Sequence, residues 1–466
     1  MFAPLSIDPQ HRASLWQKTL IGAAIAAALA VSGCATAPAN PDTANGAHAP
    51  TSPVPLTHTA WWTTFDDATL NQLVNQALQA NTSIRSAQAA LQQSRALRDV
   101  KAASAGPSLT LSGSAGRSQT EYADASNSFK AGLDARWEMD IFGANRSSIN
   151  ASEADTEAAQ ASLRDVQVSI AAEVALAYIQ LRGSQSQLTI AQSNLASQQE
   201  TLQITQWRAQ AGLVTALEVE QAQAVVAQTA AQVPALQTSL AKTRHSLAVL
   251  TGQQPLDLDA LLTPPQPLPL AKSELTAPIA ANTLRQRADV RAAEHRISAA
   301  LARVDAADAA RYPSFNLGGA LTLSALTLAG LSNGATLAGS LLGSVSVPLF
   351  DGGAAKNQVL AQEAALEQAR AAYQATVLAA LKEVEDALIA LTNDRARLSL
   401  QQLAATSASN AAVLAQNRYA SGLIDFQTVL QTQRTQLSAQ DSVASLQAEL
   451  SADHVRLVKA LGGGWQ

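Results

Sequence analysis

The chain is poor in the residues that build disulfide frameworks, metal sites and nucleic-acid surfaces. Only one cysteine, Cys34, occurs among 466 residues, which excludes an intrachain disulfide and any Cys-x-x-Cys redox or zinc motif. Charged residues make up 14% of the chain and their sum is −5. No basic stripe is therefore available for phosphate groups, and we expect no nucleic-acid partner.

Common catalytic signatures are also missing. The chain contains no HExxH, GxxxxGK[ST] or GxGxxG motif, so zinc-protease, P-loop and dinucleotide-binding chemistry is not indicated. Its histidines are scattered rather than clustered: His11, His48, His58, His245, His295 and His454. We therefore expect no enzyme, with no catalytic residue, no metal and no cofactor.

The N-terminal region reads as an export signal. Basic residues precede a short apolar run over 20–31, which ends in "VSGC" at Cys34. The run is too short for the roughly 20 residues that cross a bilayer. A signal over 1–33 that ends at a cysteine resembles the bacterial lipoprotein box, which implies a lipidated Cys34. The alternative is an ordinary signal with a chance cysteine. A Pro- and Ala-rich tether follows over 34–60.

The sequence contains an internal repeat. The stretch "RAQAGLVTALEVEQAQ" at 208–223 returns as "RYASGLIDFQTVLQTQ" at 418–433. Each copy reads as a short helix, two strands, a very long helix, a tight turn and a second long helix. We therefore expect an internal two-fold repeat, with the first copy over 61–270 and the second over 271–466.

Each copy contains two stretches that alternate between apolar and polar residues. They predict strands at about 107–119, 128–142, 313–325 and 336–350. The stretch "FKAGLDARWEMDI" alternates strictly, and its charged side chains on one face include Lys130, Asp134, Arg136 and Glu138. These strands have about the length of tilted membrane strands.

The remaining segments read as unusually long helices. Stretches almost free of proline and glycine predict helices at about 145–211, 214–250, 354–420 and 424–461. Leu181, Leu188, Leu195 and Leu202 recur every seven residues. Heptads on both arms of a tight turn favour an antiparallel coiled coil, and the alternative is an ordinary globular core stripe.

Four strands raise a closure problem. An open sheet edge in lipid leaves backbone groups unpaired, and bacterial barrels begin at eight strands. The strands therefore form either a small soluble sheet or part of a barrel pooled from several chains. The strand lengths and the lipoprotein box favour the barrel, in which Lys130, Asp134, Arg136 and Glu138 face a water-filled lumen.

Several motifs resemble one family. The box at Cys34, "WWTTFDDATL" at 61–70, the repeated RxxxGL turns, "VPLFDGG" at 347–353 and "QRTQL" at 433–437 are similar to the TolC superfamily. Within it they resemble the lipoprotein branch of outer-membrane components in resistance–nodulation–division efflux systems. The resemblance implies a mainly α fold with membrane β: a homotrimer whose chains share a 12-strand β-barrel and a long α-helical barrel.

The same resemblance implies a function and partners. We expect an outer-membrane exit duct of a tripartite efflux system, lipid-anchored and reaching into the periplasm. Its partners would be a periplasmic adaptor, an inner-membrane pump of the resistance–nodulation–division type and outer-membrane lipid. The alternatives are the outer-membrane component of a type I protein secretion system and a non-transport coiled-coil envelope protein. The last leaves the four strands unexplained.

Two turns are the expected functional tips. By resemblance, Gly212, Leu213, Gly422 and Leu423 mark the periplasmic ends that meet the adaptor. Because both turns interrupt heptad stripes, packing should be weakest there, and a trimer would carry six near-equivalent hairpins. Both arguments place the gate at the tips.

The acidic gate of the family is altered in this chain. Family members often carry aspartates just past the second turn, and Gln431 and Thr428 stand at the matching positions. The remaining gate candidates are Asp425, Glu218 and Glu220, with Gln431 as the site of the departure. An inward-facing carboxylate in a trimer becomes a ring of like charges that attracts cations.

Overall fold

The structure is a computed structural model that describes residues 60–121, 123–271 and 285–463. The signal over 1–33, the lipidation site Cys34 and nearly all of the tether lie outside the described residues. The described residues divide into two compact units, one built of strands and one of helices.

The first unit is a four-stranded antiparallel sheet in the order β1-β2-β3-β4. Its strands are β1 (Ser108–Thr120), β2 (Ala123–Met139), β3 (Ser314–Ala325) and β4 (Thr336–Ser346). A 3-10 turn, Ala329–Leu331, lies between β3 and β4.

Two strands of the sheet differ from the predicted bounds. β2 begins at Ala123 rather than near 128, because β1 and β2 stay paired up to Thr120 and Ala123 and leave only a tight turn between them. β4 ends at Ser346 rather than near 350. Pro348 follows two residues later and has no N–H to offer a neighbouring strand.

The second unit contains eight α-helices in the described ranges. They are α1 (Ala68–Ala80), α2 (Thr82–Ser104), α3 (Ala144–Gln210), α4 (Ala216–Leu250), α5 (Asp259–Leu262), α6 (Ala288–Ala309), α7 (Ala354–Ala420) and α8 (Phe426–Ala460). None of these helices combines the length and the apolar composition that crossing a membrane requires.

The two copies have matching helices. α3 and α7 each contain 67 residues, and α4 and α8 each contain 35. At 1.5 Å per residue, each of the longest helices extends about 100 Å. The equal lengths of the long helices and their common offset of 210 residues confirm the internal repeat. Pro234 lies inside α4 without ending it.

Local side chains explain where the helices begin. Asp67 accepts a hydrogen bond from the backbone N–H of Leu70 at 2.9 Å and caps α1. Before α3, the Asp140 carboxylate accepts from the N–H groups of Asn145 and Arg146 at 3.1 and 2.8 Å. A carboxylate at this position satisfies free N–H donors and complements the helix dipole.

The main core of the helical unit lies around α1 and the middle of α3. A 3-10 helix, Trp61–Phe65, buries its aromatic rings there beside the fully buried residues Leu70, Tyr178 and Leu181. Gly183 marks a close approach of α3 to α8. A Cβ atom added there would lie 2.7 Å from the Cβ of Ala448, so only glycine fits at this crossing.

Candidate functional site

The strand register separates the sheet into an apolar face and a polar face. Leu111, Leu133 and Leu321 lie side by side across β1, β2 and β3. Between the row of Met139 and the row of Phe129, this face carries only apolar residues and glycine. Its side chains are largely exposed within the sheet unit, Leu341 by 79%.

The apolar face has the height of a membrane band. It follows β2 for 11 residues, from Phe129 to Met139, which is about 33 Å along the strand. A strand tilted by about 40° covers roughly 25 Å of bilayer over that length, the height of the apolar band in membrane barrels. At one end the apolar face stops at a polar pair, in which Arg117 on β1 lies opposite Asn127 on β2.

The opposite face is polar or small along most of its length. Asp134 lies between Thr110 and Ala320, and its carboxylate accepts a hydrogen bond from the Ser112 hydroxyl at 3.0 Å. Leu342 is an apolar exception. The four predicted lumen residues share this face on β2: Lys130, Asp134, Arg136 and Glu138.

The two helical turns at the tips have the same backbone geometry. Leu213 N–H donates to Arg208 O at 2.8 Å, and Leu423 N–H donates to Arg418 O at 2.9 Å. Gly212 has a φ of 72°, and a Cβ atom added to it would have no neighbour within 4 Å. The left-handed backbone that this helix-ending turn requires, rather than crowding, therefore explains the glycine.

A buried cluster lies close to both turns. We call the following buried residues the tip core: Leu202, Ala222, Val225, Val226, Ala415, Tyr419, Phe426, Val429 and Leu430. Tyr419 stands only three residues before Gly422 and is 5% exposed. All four long helices, α3, α4, α7 and α8, contribute side chains to the tip core, whereas most residues of the turns themselves are exposed.

Tyr419 connects the two hairpins of one chain. The Arg208 guanidinium lies 4.4 Å from the Tyr419 ring centre, and its Nη1 donates to Tyr419 O at 2.7 Å. The Tyr419 hydroxyl lies 3.5 Å from Glu218 Oε2, at the long end of hydrogen bonding. Burial raises the pKa of Tyr419, and the Glu218 charge adds to the rise. We call Arg208, Tyr419 and Glu218 the tip latch.

The tip latch is not repeated at the second turn. The positions equivalent to Tyr419 and Glu218 are Ala209 and Thr428. Each chain therefore carries one latch, and its two hairpins are not equivalent. The asymmetry between the copies was visible in the sequence, but only the packing shows that Tyr419 of one copy meets Arg208 and Glu218 of the other.

The other gate candidates differ in their surroundings. Asp425 caps α8, with its Oδ1 accepting from the Thr428 N–H at 2.8 Å and the Thr428 hydroxyl at 2.6 Å. These two hydrogen bonds hold the pKa of Asp425 below its usual value. Glu220 and Gln431 are exposed, on α4 and α8 respectively.

The described residues show no metal-binding cluster. Among them, no group of three His, Cys, Asp or Glu side chains is arranged to hold a metal ion. The expected absence of a GxSxG motif is wrong, because Gly330–Gly334 has this pattern between β3 and β4. Its Ser332 hydroxyl donates to Ala329 O at 2.9 Å. No strand-to-helix elbow surrounds it, so it does not form the nucleophile elbow of hydrolases.

Comparisons with known proteins agree with this architecture. The outer membrane efflux protein family matches residues 73–253 and 280–463. Nodulation protein T of Rhizobium leguminosarum bv. viciae is 32% identical over 87% of this chain and 84% of its own length. The toluene efflux pump outer membrane protein TtgI of Pseudomonas putida is 31% identical over 86% of each chain.

Solved structures show the same fold. The outer-membrane channel OprN matches with a TM-score of 0.82 at 38% identity, covering 87% of this chain and 92% of its own. VceC of Vibrio cholerae matches with a TM-score of 0.80 at 28% identity, covering 87% of this chain and 99% of its own.

A long-helix unit and a small antiparallel sheet, each built from both copies of a repeat, define a TolC-like outer-membrane factor. The chain belongs to the outer membrane efflux protein family, and the predicted resemblance to the TolC superfamily is confirmed. It is an outer-membrane channel that serves as the exit duct of a tripartite efflux system.

Proposed function

We propose that three copies of this chain form one conduit for small molecules, with a twelve-strand barrel in the outer membrane. The observation that carries the proposal is the apolar face that runs unbroken across four strands. The sheet also leaves β1 and β4 as open edges. Pairing β4 of one chain with β1 of the next would satisfy both edges, and three chains supply enough strands to close.

The partners follow from the family and from the tips. A periplasmic adaptor meets Gly212, Leu213, Gly422 and Leu423, and an inner-membrane pump of the resistance–nodulation–division type delivers the cargo. Leu213 and Leu423 are 69% and 74% exposed, so both turns present an apolar side chain to a partner. A lipid on Cys34 adds an anchor, although the barrel alone would hold the trimer in the membrane.

The cargo is proposed to be small and in part apolar. Relatives include proteins named for toluene and solvent efflux, which favours small molecules over the protein cargo of a type I secretion system. The chain performs no chemistry on the cargo in this proposal. Its task is to hold a closed tip and to open that tip when the adaptor binds.

The tip latch is proposed to stabilise the closed tip. Arg208 and Glu218 belong to the first copy and Tyr419 to the second, so these contacts resist separation of the two hairpins. Adaptor binding next to the turns would pull the hairpins apart and break them. Three latches around the axis would then open together.

Removing the latch hydroxyl should raise conductance. In Tyr419→Phe the ring stays in the tip core while the hydroxyl contacts to Glu218 and Thr205 are lost. One such hydrogen bond is worth about 0.5–1.5 kcal/mol, so the open fraction should rise about two- to tenfold for each latch. Purified trimers in planar bilayers measure this directly. Tyr373→Phe, on α7 and outside the tip core, is the matched control.

The conductance measurements test the conduit and the tip latch separately. If wild type forms no ion-conducting pore, the proposed function is wrong. If wild type conducts and Tyr419→Phe behaves like Tyr373→Phe, the conduit stands and the latch does not hold its gate.

The charge of Asp425 should favour cations at the tip. Asparagine caps helices about as well as aspartate, so Asp425→Asn removes the charge and keeps the cap of α8. We expect reduced cation selectivity without loss of helix, whereas Asp425→Ala loses both charge and cap. Gln431→Glu should act in the opposite direction and increase cation selectivity.

The selectivity due to Asp425 should also depend on pH in a defined sense. Because hydrogen bonds from Thr428 lower the pKa of Asp425, the carboxylate stays ionised in mildly acidic solution. Selectivity is then lost only as the pH falls through that lowered pKa. The cation selectivity of each variant is measured from its reversal potential across a salt gradient. Unchanged potentials in both Asp425→Asn and Gln431→Glu would mean that the selective charge lies elsewhere.

A further inference from the structure

Four helices of the helical unit form one curved layer. Among the described residues, α2 packs against α3, α3 against α6, and α6 against α7, whereas α2 makes no comparable contact with α6 or α7. The four helices therefore lie side by side in the order α2-α3-α6-α7. A cavity of about 550 Å³ is lined by residues of all four helices. Because only neighbours in this order pack together, a cavity that reaches all four lies on the concave side of the layer.

The internal repeat places equivalent positions of both copies around this cavity. Lys101 on α2 is equivalent to Ala307 on α6, 206 residues later. Ser148 on α3 is equivalent to Gln358 on α7, 210 residues later. All four residues line the cavity. The two copies therefore turn the same face towards it, but they supply different side chains to the wall.

The wall of the cavity is cationic although the chain is acidic. Its charged lining residues are two cations, Lys101 and Arg303, and one anion, Asp155, while the whole chain has a net charge of −5. Arg303 donates a hydrogen bond to the Asp155 carboxylate, so these two charges balance each other. No ion pair joins Lys101 to a carboxylate in the described part of the chain. The Lys101 ammonium group is therefore available to an anion from outside.

Apolar side chains lie next to this cation. Leu97 and Val100 on α2 are 56% and 63% exposed, and Ala151 and Ala306 extend the apolar part of the wall. Leu97 and Lys101 are four residues apart, so they lie on the same face of α2. Cavities that bind small molecules have volumes of about 300–1,000 Å³ and combine an apolar wall with a few polar groups. Both the size and the wall of this cavity fit that description.

We propose that this cavity binds amphiphilic carboxylates, which are small molecules with one anionic group and an apolar body. The carboxylate pairs with Lys101, and the apolar body packs against Leu97 and Val100. A pure hydrocarbon leaves the ammonium group without a partner, and a small inorganic anion leaves the apolar wall uncovered. The cavity therefore favours molecules that have both features.

The site lies within one chain, and its role in transport rests on the proposed conduit. In a closed tunnel built from three such layers, the concave side of each layer faces the tunnel axis. The cavity then opens into the tunnel, and the amphiphilic carboxylates that it binds belong to the cargo.

Binding of naphthoate to the purified protein tests the site. Naphthoate carries one carboxylate on a rigid apolar body, and naphthylmethylammonium is a cation of similar shape. Equilibrium dialysis of each probe against the full chain in lipid nanodiscs, with binding to empty nanodiscs subtracted, measures saturable binding. We expect the wild type to bind naphthoate at one site per chain and to prefer it several-fold over the cation.

Reversing the charge of Lys101 should reverse this preference. In Lys101→Glu the apolar wall is unchanged, so the cation should bind better than naphthoate. Lys101→Gln only removes the charge and should weaken naphthoate binding by about 1.5- to fivefold, the effect of one solvent-exposed ion pair. Lys356→Glu is the matched control, because Lys356 is exposed on α7 and does not line the cavity. It should leave both affinities unchanged.

A substitution in the apolar wall should act on both probes alike. Val100→Thr keeps the shape of the side chain and replaces a methyl group by a hydroxyl. It should weaken naphthoate and naphthylmethylammonium equally, by up to about fourfold, the value of one buried methyl group. Val413→Thr is the control, since Val413 is 55% exposed on α7 and does not line the cavity.

The outcomes separate this inference from the proposed function. Naphthoate that binds no better than to empty nanodiscs, or that is still preferred over the cation in Lys101→Glu, would overturn the site. The conduit stands in that case if the wild type conducts ions in planar bilayers. A wild type that binds naphthoate as expected but forms no pore would retain the site and show that its ligand is not cargo.

Discussion

Replacing Leu133 with lysine is expected to prevent the chain from assembling in the outer membrane. Leu133 lies on the apolar face, between Leu111 and Leu321 on the neighbouring strands. A lysine on the lipid side of a barrel costs about 2–4 kcal/mol near the bilayer midplane. In a trimer this cost arises three times. We expect outer-membrane fractions to contain little or none of the variant, and trimer bands to be lost on mild electrophoresis.

The adjacent residue supplies the matched control. Asp134 points to the opposite face, where its carboxylate accepts a hydrogen bond from Ser112, and asparagine retains an acceptor of the same shape. Asp134→Asn should therefore assemble normally and change only the charge of the lumen. Equal loss of assembly in the two variants would contradict the faces assigned to the sheet. Normal assembly of Leu133→Lys would show that this face does not meet lipid.

Much of the fold followed from the sequence because its signals were periodic and repeated. The alternation from Phe129 to Ile141 predicted a strand with two unlike faces, and the register shows those faces continuing across all four strands. The long helices were predicted from the near absence of proline and glycine. Strand ends were less certain, because a tight turn near Thr120 and Pro348 acts locally and leaves no periodic signal.

The candidate site was harder to predict than the fold. The turns at Gly212 and Gly422 were found because glycine is required where a helix ends in a left-handed residue. The tip latch was missed, since Arg208 and Tyr419 are 211 residues apart and meet only through tertiary packing. Asp425 was found as a charge, but its role as the cap of α8 needed the Thr428 contacts.

Comparing the two copies explains more than either copy alone. The two copies share the same order of helices and strands, but the side chains that connect one copy to the other differ between them. Arg303 with Asp155 has the equivalents Leu97 with Ala365, and Tyr419 has the equivalent Ala209. At these joints between the copies, a charged or aromatic side chain in one copy has an apolar equivalent in the other.

Arg287→Ala is expected to destabilise the helical unit strongly. Arg287 is 7% exposed and joins three helices. Its guanidinium donates to Asp289 at the start of α6, to Glu383 on α7 at 2.8 Å, and to Ala460 O at the end of α8 at 2.6 Å. A buried polar group left without its partner costs about 1–3 kcal/mol, and both Asp289 and Ala460 O would lose a donor, whereas the half-exposed Glu383 would be solvated. Denaturant unfolding of the detergent-solubilised protein, followed by circular dichroism, should show this loss.

Two further variants identify the cause of the loss. Arg287→Lys keeps the charge but cannot reach three acceptors at once, so its loss should be intermediate. Arg311→Ala removes an exposed arginine that pairs with Asp308 at 2.8 Å, and surface pairs of this kind contribute about 0–1 kcal/mol. If Arg287→Ala were no more destabilising than Arg311→Ala, the buried network would not hold the three helices together.

The defect of Arg287→Ala should become smaller in acid. Burial raises the pKa of Asp289, but the hydrogen bonds and charge of Arg287 outweigh it and lower the pKa overall. The wild type therefore holds this stabilisation at neutral pH and loses it as the pH falls through that lowered pKa.

Burial and the Asp289 charge raise the pKa of Asp165 nearby, and Arg287 opposes them. Without Arg287 both carboxyls should protonate at higher pH, which relieves their repulsion. The difference in unfolding free energy between variant and wild type should thus be largest at neutral pH. A difference that stays constant down to the pH at which carboxyls protonate would mean that lost packing, and not unpaired charge, causes the defect.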